Sequence, residues 1–169
     1  MSVIDKNNLF TKNEQTICSI STAVSNNAIS IVRMSGSDAI NIINTVFSKN
    51  LTNAKSHTIH YGYIKENEKI IDEVLVSIFR SPKSFTCEDI VEINCHGGIF
   101  VTNKILEILL SNGARIAENG EFTKRAYLNG RIDLTQAEAV MDVIEASTRS
   151  NLQQATSALC GRTRKIIED

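Results

Sequence analysis

The stretch that most constrains the fold is residues 84–98, where a two-residue hydrophobic period gives way to a helical one. In the alternating part, Ile90–His96, the apolar side chains predicted to face a core are Val91, Ile93 and Cys95. Those predicted to share the opposite face are Ile90, Glu92, Asn94 and His96. The alternation stops at Gly97 and Gly98, and helical spacing covers residues 99–110. The pattern places a polar row at a helix N-terminus, where free N–H groups can receive an anion or an acceptor. Taken alone, this stretch favours the simpler interpretation of a strand with one solvated face followed by a turn.

Composition describes an ordinary globular protein. The chain of 169 residues is long enough for one core or for one domain plus an appendage. Its residues are 42% hydrophobic and 22% charged, as in typical soluble domains. The formal net charge of -1 excludes the basic surface with which a domain grips nucleic acid unaided. The first residues lack the apolar core of a signal peptide, and no apolar run approaches transmembrane length. We therefore expect a cytoplasmic protein with no membrane contact.

Neither the cysteines nor any short motif indicates a reaction. The four cysteines, which lack C-x-x-C spacing and paired histidines, are Cys18, Cys87, Cys95 and Cys160. They predict reduced thiols, with neither a zinc site nor a disulfide framework. The sequence also lacks a P-loop, a G-x-S-x-G serine and an H-E-x-x-H metal motif. We therefore predict no catalytic residue and no metal ligand among these residues.

The order of patterns predicts an α+β domain over residues 15–118, preceded by a loosely ordered extension at residues 1–14. The predicted strands are residues 16–22, 28–34, 58–64, 70–79, 90–96 and 114–117, and the two main helices are one that begins near Ala39 and one at residues 99–110. The strand at residues 70–79 is the second arm of a hairpin and the most apolar run, so it is expected centrally in the sheet. The prediction is a mixed sheet of about five or six strands with two main helices.

Residues 119–169 are predicted to begin a second, helical domain. A short helix closes at Asn129 and Gly130, and the sequence T-Q-A-E at residues 135–138 predicts a capping box. From this box one long C-terminal helix is predicted to reach Asp169. The preceding residues cannot bury the whole apolar stripe of such a helix, so we expect it to pack on a following segment or on a second copy. The exposed apolar stripe of this helix and the apolar edges of the strands together predict a homodimer.

Four blocks of sequence resemble one family. They are I-V-R-M-S-G at residues 31–36, D-E-V-L-V at 72–76, S-F-T-C-E-D-I-V-E-I-N-C-H-G-G at 84–98, and G-A-R-I-A-E-N-G-E-F-T-K-R-A-Y-L-N-G-R-I-D-L-T-Q-A-E-A-V at 113–140. In order and spacing these blocks resemble the N-terminal portion of the MnmE (TrmE) family of tRNA modification GTPases, over residues 16–161. A set of blocks in the right order is far more specific than any single motif.

The resemblance implies an N-terminal α+β domain that binds a one-carbon derivative of tetrahydrofolate and dimerises, followed by a helical domain with an inserted GTPase domain. With the FAD-dependent protein MnmG, family members add an aminomethyl or carboxymethylaminomethyl group to C5 of the wobble uridine of tRNA. The implied cofactor of this chain is 5-formyl- or methylene-tetrahydrofolate. The sites for GTP, Mg²⁺ and K⁺ would lie in the GTPase domain beyond these residues, so the full-length protein is expected to hydrolyse GTP and this chain alone is not.

The resemblance also implies three folate contacts, at Arg33, Glu92 and Arg131. A carboxylate can accept hydrogen bonds from the amino group and ring N–H of a pterin, and arginine suits an acidic glutamyl tail. We therefore expect Glu92 at the ring and the two arginines at the tail. Further matching residues that could line the same cavity are Asn94, His96, Gly97 and Gly98. For His96, a hydrogen-bonded histidine at a strand end is an equally good interpretation.

One segment departs from the family pattern. Members have a Pro/Gly-rich T-P-x-G-x-G entry to the I-V-R block, whereas residues 21–33 here read S-T-A-V-S-N-N-A-I-S-I-V-R. Side chains at Ser25, Asn26 and Asn27 thus stand where a glycine loop could approach a ligand or a second subunit closely. Two other functions therefore stay open: a stand-alone folate-dependent aminomethyltransferase-like protein, and a dimerisation module that has lost its ligand.

Overall fold

The structure, a computed structural model, describes residues 15–160; the extension predicted at residues 1–14 lies outside them. The strands are β1 (Ile17–Ile20), β2 (Ile29–Ser35), β3 (Thr58–Glu66), β4 (Lys69–Phe79), β5 (Ile90–His96) and β6 (Arg115–Ile116). The helices are α1 (Ala39–Val46), α2 (Ile99–Ser111), α3 (Glu121–Leu128), α4 (Leu134–Glu145) and α5 (Arg149–Leu159). The chain divides into two compact units between Asn119 and Gly120.

The strands of the first unit form one mixed sheet in the order β3-β4-β5-β2-β1-β6. Neighbouring strands are antiparallel except β1 and β6, which run parallel. The α+β class with a mixed sheet is therefore confirmed. The apolar strand β4 pairs on both sides, with β3 and β5, but its hairpin partner β3 is at the edge and the middle pair is β5 and β2. β2 and β5, which carry Arg33 and Glu92, are thus each hydrogen-bonded to a neighbouring strand on both sides.

One face of the sheet carries the core together with α1 and α2. The strand residues buried on this face include Val32, Met34, Val74, Val76, Ile78, Val91, Ile93 and Cys95. The helix residues packed into the same core include Ile40, Ile43, Ile105, Ile108 and Leu109. The alternation predicted for β5 is therefore confirmed, because its odd-numbered residues are buried and Glu92, Asn94 and His96 are not.

The opposite face, called here the open face, carries Ile29, Arg33, Leu75 and Glu92 and the residues that alternate with the core positions of β2 to β5. Large apolar side chains stay exposed on it: Ile29 by 62%, Ile59 by 67%, Tyr61 by 47% and Leu75 by 45%. Ile90 belongs to the same face but is only 2% exposed. At that end the Ser35 hydroxyl donates a hydrogen bond to the Glu88 carboxylate and forms another with the Thr86 hydroxyl. The segment between β4 and β5 therefore covers this end of the open face.

The second unit is helical, as predicted, and its helix boundaries differ from the expected ones. The capping box of α4 is formed by Asp133 and Gln136, not by the predicted residues 135–138, because the Asp133 carboxylate reaches the Gln136 N–H at 2.8 Å and the Gln136 side chain accepts from the Asp133 N–H. The predicted long helix is divided at residues 146–148, where Thr148 accepts from the Asn151 N–H and starts α5. Its predicted continuation beyond residue 160 lies outside the described residues.

Candidate functional site

Two of the three residues expected to contact folate form an ion pair on the open face. Arg33 of β2 lies directly opposite Glu92 of β5 in the antiparallel register. The Nη2 and Nε atoms of Arg33 lie 2.7 and 2.8 Å from Oε1 of Glu92, and the side chains are 31% and 20% exposed. Residues 59 positions apart in sequence thus meet because β2 and β5 are neighbours in the middle of the sheet.

The geometry of this pair leaves part of the carboxylate open to a ligand. Both contacts that Arg33 makes with Glu92 go to Oε1 of the carboxylate, and within residues 15–160 the structure gives no protein donor to Oε2. A carboxylate has about four acceptor positions, so Glu92 keeps capacity for donors from outside the protein. The two hydrogen bonds from the adjacent guanidinium hold the orientation of the carboxylate.

Arg131, the third expected contact, belongs to the second unit. It follows α3 directly, is exposed, and donates its backbone N–H to the carbonyl oxygen of Ala126 at 2.8 Å. That bond closes the C-terminal turn of α3, which ends at Asn129 and Gly130 as the sequence predicts. The structure therefore unites Arg33 with Glu92, and places Arg131 at the end of a short helix in the other unit.

A groove of about 320 Å³ opens on the open face further along β5. The side chains that line it include Ile29, Tyr61, Glu73, Leu75, Asn94 and His96. Asn94 lies two residues along β5 from Glu92, on the same side of the strand, and donates to the carbonyl oxygen of Leu75 at 3.3 Å. Asn94 and His96 therefore both line this groove, which has an apolar wall with polar groups at its rim.

His96 is held by a carboxylate that the sequence did not single out. Its ring Nδ1 lies 2.7 Å from Oδ1 of Asp72, and its backbone N–H donates to Oδ2 of the same residue at 2.9 Å. The hydrogen bond and charge of Asp72 raise the pKa of His96 above its ordinary value. His96 is thus a hydrogen-bonded histidine at a strand end, and its side chain also lines the groove.

Tyr61 forms the wall of the groove on β3. Its hydroxyl lies 3.1 Å from that of Tyr63, and Lys49 lies 5.7 Å from its ring centroid. Hydrogen bonds with Tyr63 and Glu73 raise the pKa of Tyr61, so its phenol stays protonated at neutral pH. The ring offers an apolar face beside a hydroxyl that is already hydrogen-bonded.

The two glycines after β5 have different roles. A Cβ on Gly97 would lie 2.5 Å from the carbonyl oxygen of Asn27, because Gly97 exchanges backbone hydrogen bonds with Asn27 and Ala28. A Cβ on Gly98 would meet only the Val101 side chain, at 3.6 Å. Gly97 is therefore required because two backbone segments approach each other closely at this point. The glycine pair indicates such an approach, but the sequence does not identify residues 27 and 28 as the other segment.

The segment that departs from the family pattern contacts the N-terminus of α2. The side-chain oxygen of Asn26 accepts from the Ile99 N–H at 3.4 Å, and Asn26 is followed by the backbone that packs on Gly97. The helix end that the sequence suggests as an anion site thus already has an acceptor from the chain itself at one of its N–H groups. The open face has charged side chains of its own, among them the ion pair of Arg33 and Glu92.

The segment between β4 and β5 is held by residues whose role sequence reasoning missed. Arg80 donates to Oδ2 of Asp89 at 3.0 Å and to the backbone carbonyls of Leu51 and Thr52. The other oxygen of Asp89 accepts the Ser81 N–H at 2.8 Å. The E-D pair in the block at residues 84–98 is the signal that could have indicated such an anchor, because an ion pair at the base of a loop, here partly exposed, restricts the loop.

The two thiols of the core, those of Cys18 and Cys95, are kept protonated by burial. Burial raises the pKa of Cys18 to about 12 and also raises the pKa of Cys95. Among the described residues no group of three or more His, Cys, Asp and Glu side chains is arranged to hold a metal ion. Within the same range, none of the helices combines the length and apolarity needed to cross a membrane. The open face carries the carboxylate of Glu92, the guanidinium of Arg33 and the imidazole of His96.

Comparison with known proteins identifies the family. Residues 16–131 match the family model described as GTP-binding protein TrmE N-terminus. The chain is 59% identical over 160 residues to the tRNA modification GTPase MnmE of Streptococcus thermophilus, covering 94% of this chain and 35% of that protein. MnmE of Lactococcus lactis subsp. lactis is 56% identical over the same shares, and MnmE of Bacillus cytotoxicus 56% identical over 90% of this chain and 34% of its own length.

The chain thus spans about a third of the length of the curated relatives that it matches. The family match begins one residue before β1 and ends at Arg131, so it contains the sheet, the open face and all three residues expected to contact folate. Both the family model and the high identities give the same result, and the chain belongs to the family of TrmE (MnmE) N-terminal regions.

Proposed function

We propose that this chain is the tetrahydrofolate-binding and dimerising N-terminal part of a tRNA modification GTPase. The single observation that carries the proposal is the Arg33–Glu92 pair on the open face, beside a groove with an apolar wall. The pair offers the Glu92 carboxylate as an acceptor for the pterin ring and the Arg33 guanidinium as a cation that orients this acceptor. The proposed ligand is 5-formyl- or methylene-tetrahydrofolate.

Glu92 is the proposed pterin-binding residue. Oε2 of Glu92 can accept from the ring N–H and the amino group of a pterin, while the two hydrogen bonds from Arg33 to Glu92 remain on Oε1. Since the ring and the glutamyl tail lie at opposite ends of a folate, two side chains 2.7 Å apart serve the same end of the ligand. Arg33 is therefore assigned to the orientation of Glu92, and the acidic tail is assigned to the exposed guanidinium of Arg131.

The groove is proposed to receive an aromatic part of the ligand. Its volume of about 320 Å³ is at the low end of the range for small-molecule pockets, so it holds one ring system and not a whole folate. Tyr61, Ile29 and Leu75 offer apolar surface, and Asn94 with His96 offers hydrogen bonds at the rim. The remainder of the ligand would stay on the open face, where a second copy of the chain would cover it.

A homodimer is proposed for the same reason. The exposed apolar side chains of the open face would lose contact with water if two copies paired. Light scattering at micromolar concentration is expected to give twice the mass of one 18.7 kDa chain. A mass of one chain in the presence of saturating folate would contradict the dimer and leave the ligand proposal to its own test.

For the longer protein we propose the activity that its relatives' names describe. The folate carried by this part would supply a one-carbon unit, and the FAD-dependent partner MnmG would act with it to build an aminomethyl or carboxymethylaminomethyl group on C5 of the wobble uridine of tRNA. GTP with Mg²⁺ and K⁺ would bind in the GTPase domain, outside this chain, and the complex would act in the cytoplasm. The high identity to tRNA modification GTPases supports this assignment.

Calorimetric titration of the chain with 5-formyltetrahydrofolate tests the proposal. Glu92→Gln keeps the shape of the side chain and removes its charge, so we expect affinity to fall about ten- to a hundredfold. Glu107→Gln is the matched control, because Glu107 is an exposed carboxylate on α2 that pairs with Lys104, and its substitution should leave affinity unchanged. Equal affinities of the parent and Glu92→Gln would overturn the assignment of Glu92, and no binding by the parent would overturn the folate proposal itself.

A further inference from the structure

The carboxylate of Asp72 is fully engaged and almost buried. Its side chain is 9% exposed; Oδ2 accepts the backbone N–H of His96, and Oδ1 accepts the ring Nδ1–H of His96 and the N–H of Glu73. An ionised carboxylate can only accept, so the ring proton of neutral His96 resides on Nδ1. One side chain of β4 thereby determines both the backbone position and the ring tautomer of a residue at the end of β5.

The other side of the imidazole is available. The side chain of His96 is 71% exposed and lines the groove, and its bond to Asp72 uses only Nδ1. The ring nitrogen left for a ligand is therefore Nε2. In the imidazolium this atom donates a hydrogen bond, and in the neutral ring it accepts one, so the protonation state of His96 decides which ligand atom it can contact.

The charged groups around His96 favour the imidazolium. On β4 these are Asp72 and Glu73, and on β3 the neighbour in the groove is the neutral phenol of Tyr61. On the β2 side the lining residues are Ala28 and Ile29, which carry no charge. The first turn of α2 has no acidic side chain, and its Lys104 pairs with Glu66 and Glu107. Two carboxylates thus face the ring, and no cation in these contacts opposes them.

We infer that Asp72 is a positioning residue of the ligand site: it holds His96 so that the Nε2–H of the imidazolium donates to an acceptor oxygen of the molecule in the groove. The inference deepens the proposed function, on which it rests, by adding a pH-dependent donor to the Arg33–Glu92 pair. The acceptor belongs to the carbonyl or carboxylate class, since a donor group on the ligand would be repelled by the imidazolium. Binding of folate should therefore be tighter below the pKa of His96 than above it.

The test measures 5-formyltetrahydrofolate affinity across the pH range in which histidine titrates, for the parent and three variants of the 169-residue chain. For the parent we expect affinity to fall about three- to tenfold as His96 loses its proton. His96→Gln should have the weaker affinity at every pH, without the transition. Asp72→Asn should move the transition to lower pH, because it removes the charge that stabilises the imidazolium. Glu68→Gln, at a hairpin position whose side chain is 95% exposed, is the charge-matched control and should behave as the parent does.

Nitrogen-proton NMR of the His96 ring supplies a readout that needs no ligand. We expect the Nδ1–H tautomer and a pKa above about 6.5 in the parent, and loss of both in Asp72→Asn.

If the parent binds folate with the same affinity at every pH, or if His96→Gln keeps the transition, the inference is overturned and the proposed function stands. If the parent binds no folate, the proposed function fails. The NMR result then supports the positioning by Asp72 or overturns it. Circular dichroism of each variant identifies any that is unfolded, and His96→Gln, at an exposed residue, keeps the test decisive if Asp72→Asn does not fold.

Discussion

The two faces of the sheet are built by the same strands and differ in almost every physical respect. On the core face, alternate residues such as Val32 and Ile93 are fully buried against α1 and α2. On the open face, their immediate neighbours include Arg33 and Glu92, which form a partly exposed ion pair, and apolar residues such as Ile59 that remain in water. Stability is thus concentrated on one face, and the chemistry and apolar surface available for binding are concentrated on the other.

The largest expected difference between the faces is in the cost of truncating an isoleucine. Ile93→Ala removes a fully buried side chain, so we expect the free energy of unfolding to fall by about 2–5 kcal/mol. Ile59→Ala, on the other face at 67% exposure, should change it by about 0.5 kcal/mol or less at low protein concentration. Urea denaturation measures both. A cost at Ile59 that rises with protein concentration would sharpen the comparison, since it would mean that two copies bury the open face.

The next effect is at the point where the chain leaves β5 for α2. Gly97→Ala places a Cβ 2.5 Å from the Asn27 carbonyl oxygen, so a backbone contact must move and unfolding should become easier by about 1–3 kcal/mol. Gly98→Ala, whose Cβ has space, is the matched control and should cost less than about 1 kcal/mol, as a poorer N-cap. Thermal melts of the two variants give the difference, and equal melting temperatures would contradict the close approach at Gly97.

A smaller effect is expected from the ion pair of the open face. Both partners retain contact with solvent, so a double-mutant cycle with Arg33→Met and Glu92→Gln should give a coupling of about 1 kcal/mol or less in the free energy of unfolding. The same substitutions should weaken folate binding far more than they weaken folding. If the coupling in stability exceeded the effect on binding, the pair would be a structural element like those of the core face, and the contrast between the faces would fail.

The smallest effect is the pH dependence of stability at the rim of the groove. The pKa of His96 is raised in the folded chain by Asp72, so its contribution is fully present below the unfolded pKa and is lost as pH rises through the folded value. The difference in melting temperature between the parent and His96→Gln should therefore be larger in mild acid than in mild alkali. A difference that grew with pH would reverse the sign and contradict the Asp72–His96 contact.

Sequence patterns predicted most of the fold and part of the site. The alternation of β5, the glycine pair and the start of α2 are local features, and the structure confirms them because period and turn chemistry act over a few residues. The capping box of α4 was misplaced by two residues, since Asp133 competes with Thr135 as a cap and the choice depends on the backbone at that turn. Asp72 was missed as a functional candidate because its partner His96 is 24 positions away.

The sequence by itself therefore determined which residues are apolar, which are charged and which strands alternate, and with the resemblance it pointed to Arg33, Glu92 and Arg131 as candidate folate contacts. Only the tertiary structure decided that β2 and β5 are neighbours in register, that Asp72 holds His96 and that Asn26 contacts the start of α2. The physical reason is that strand pairing and side-chain contacts across a sheet are set by the competition of all strands for burial, whereas periodicity and turns are set locally.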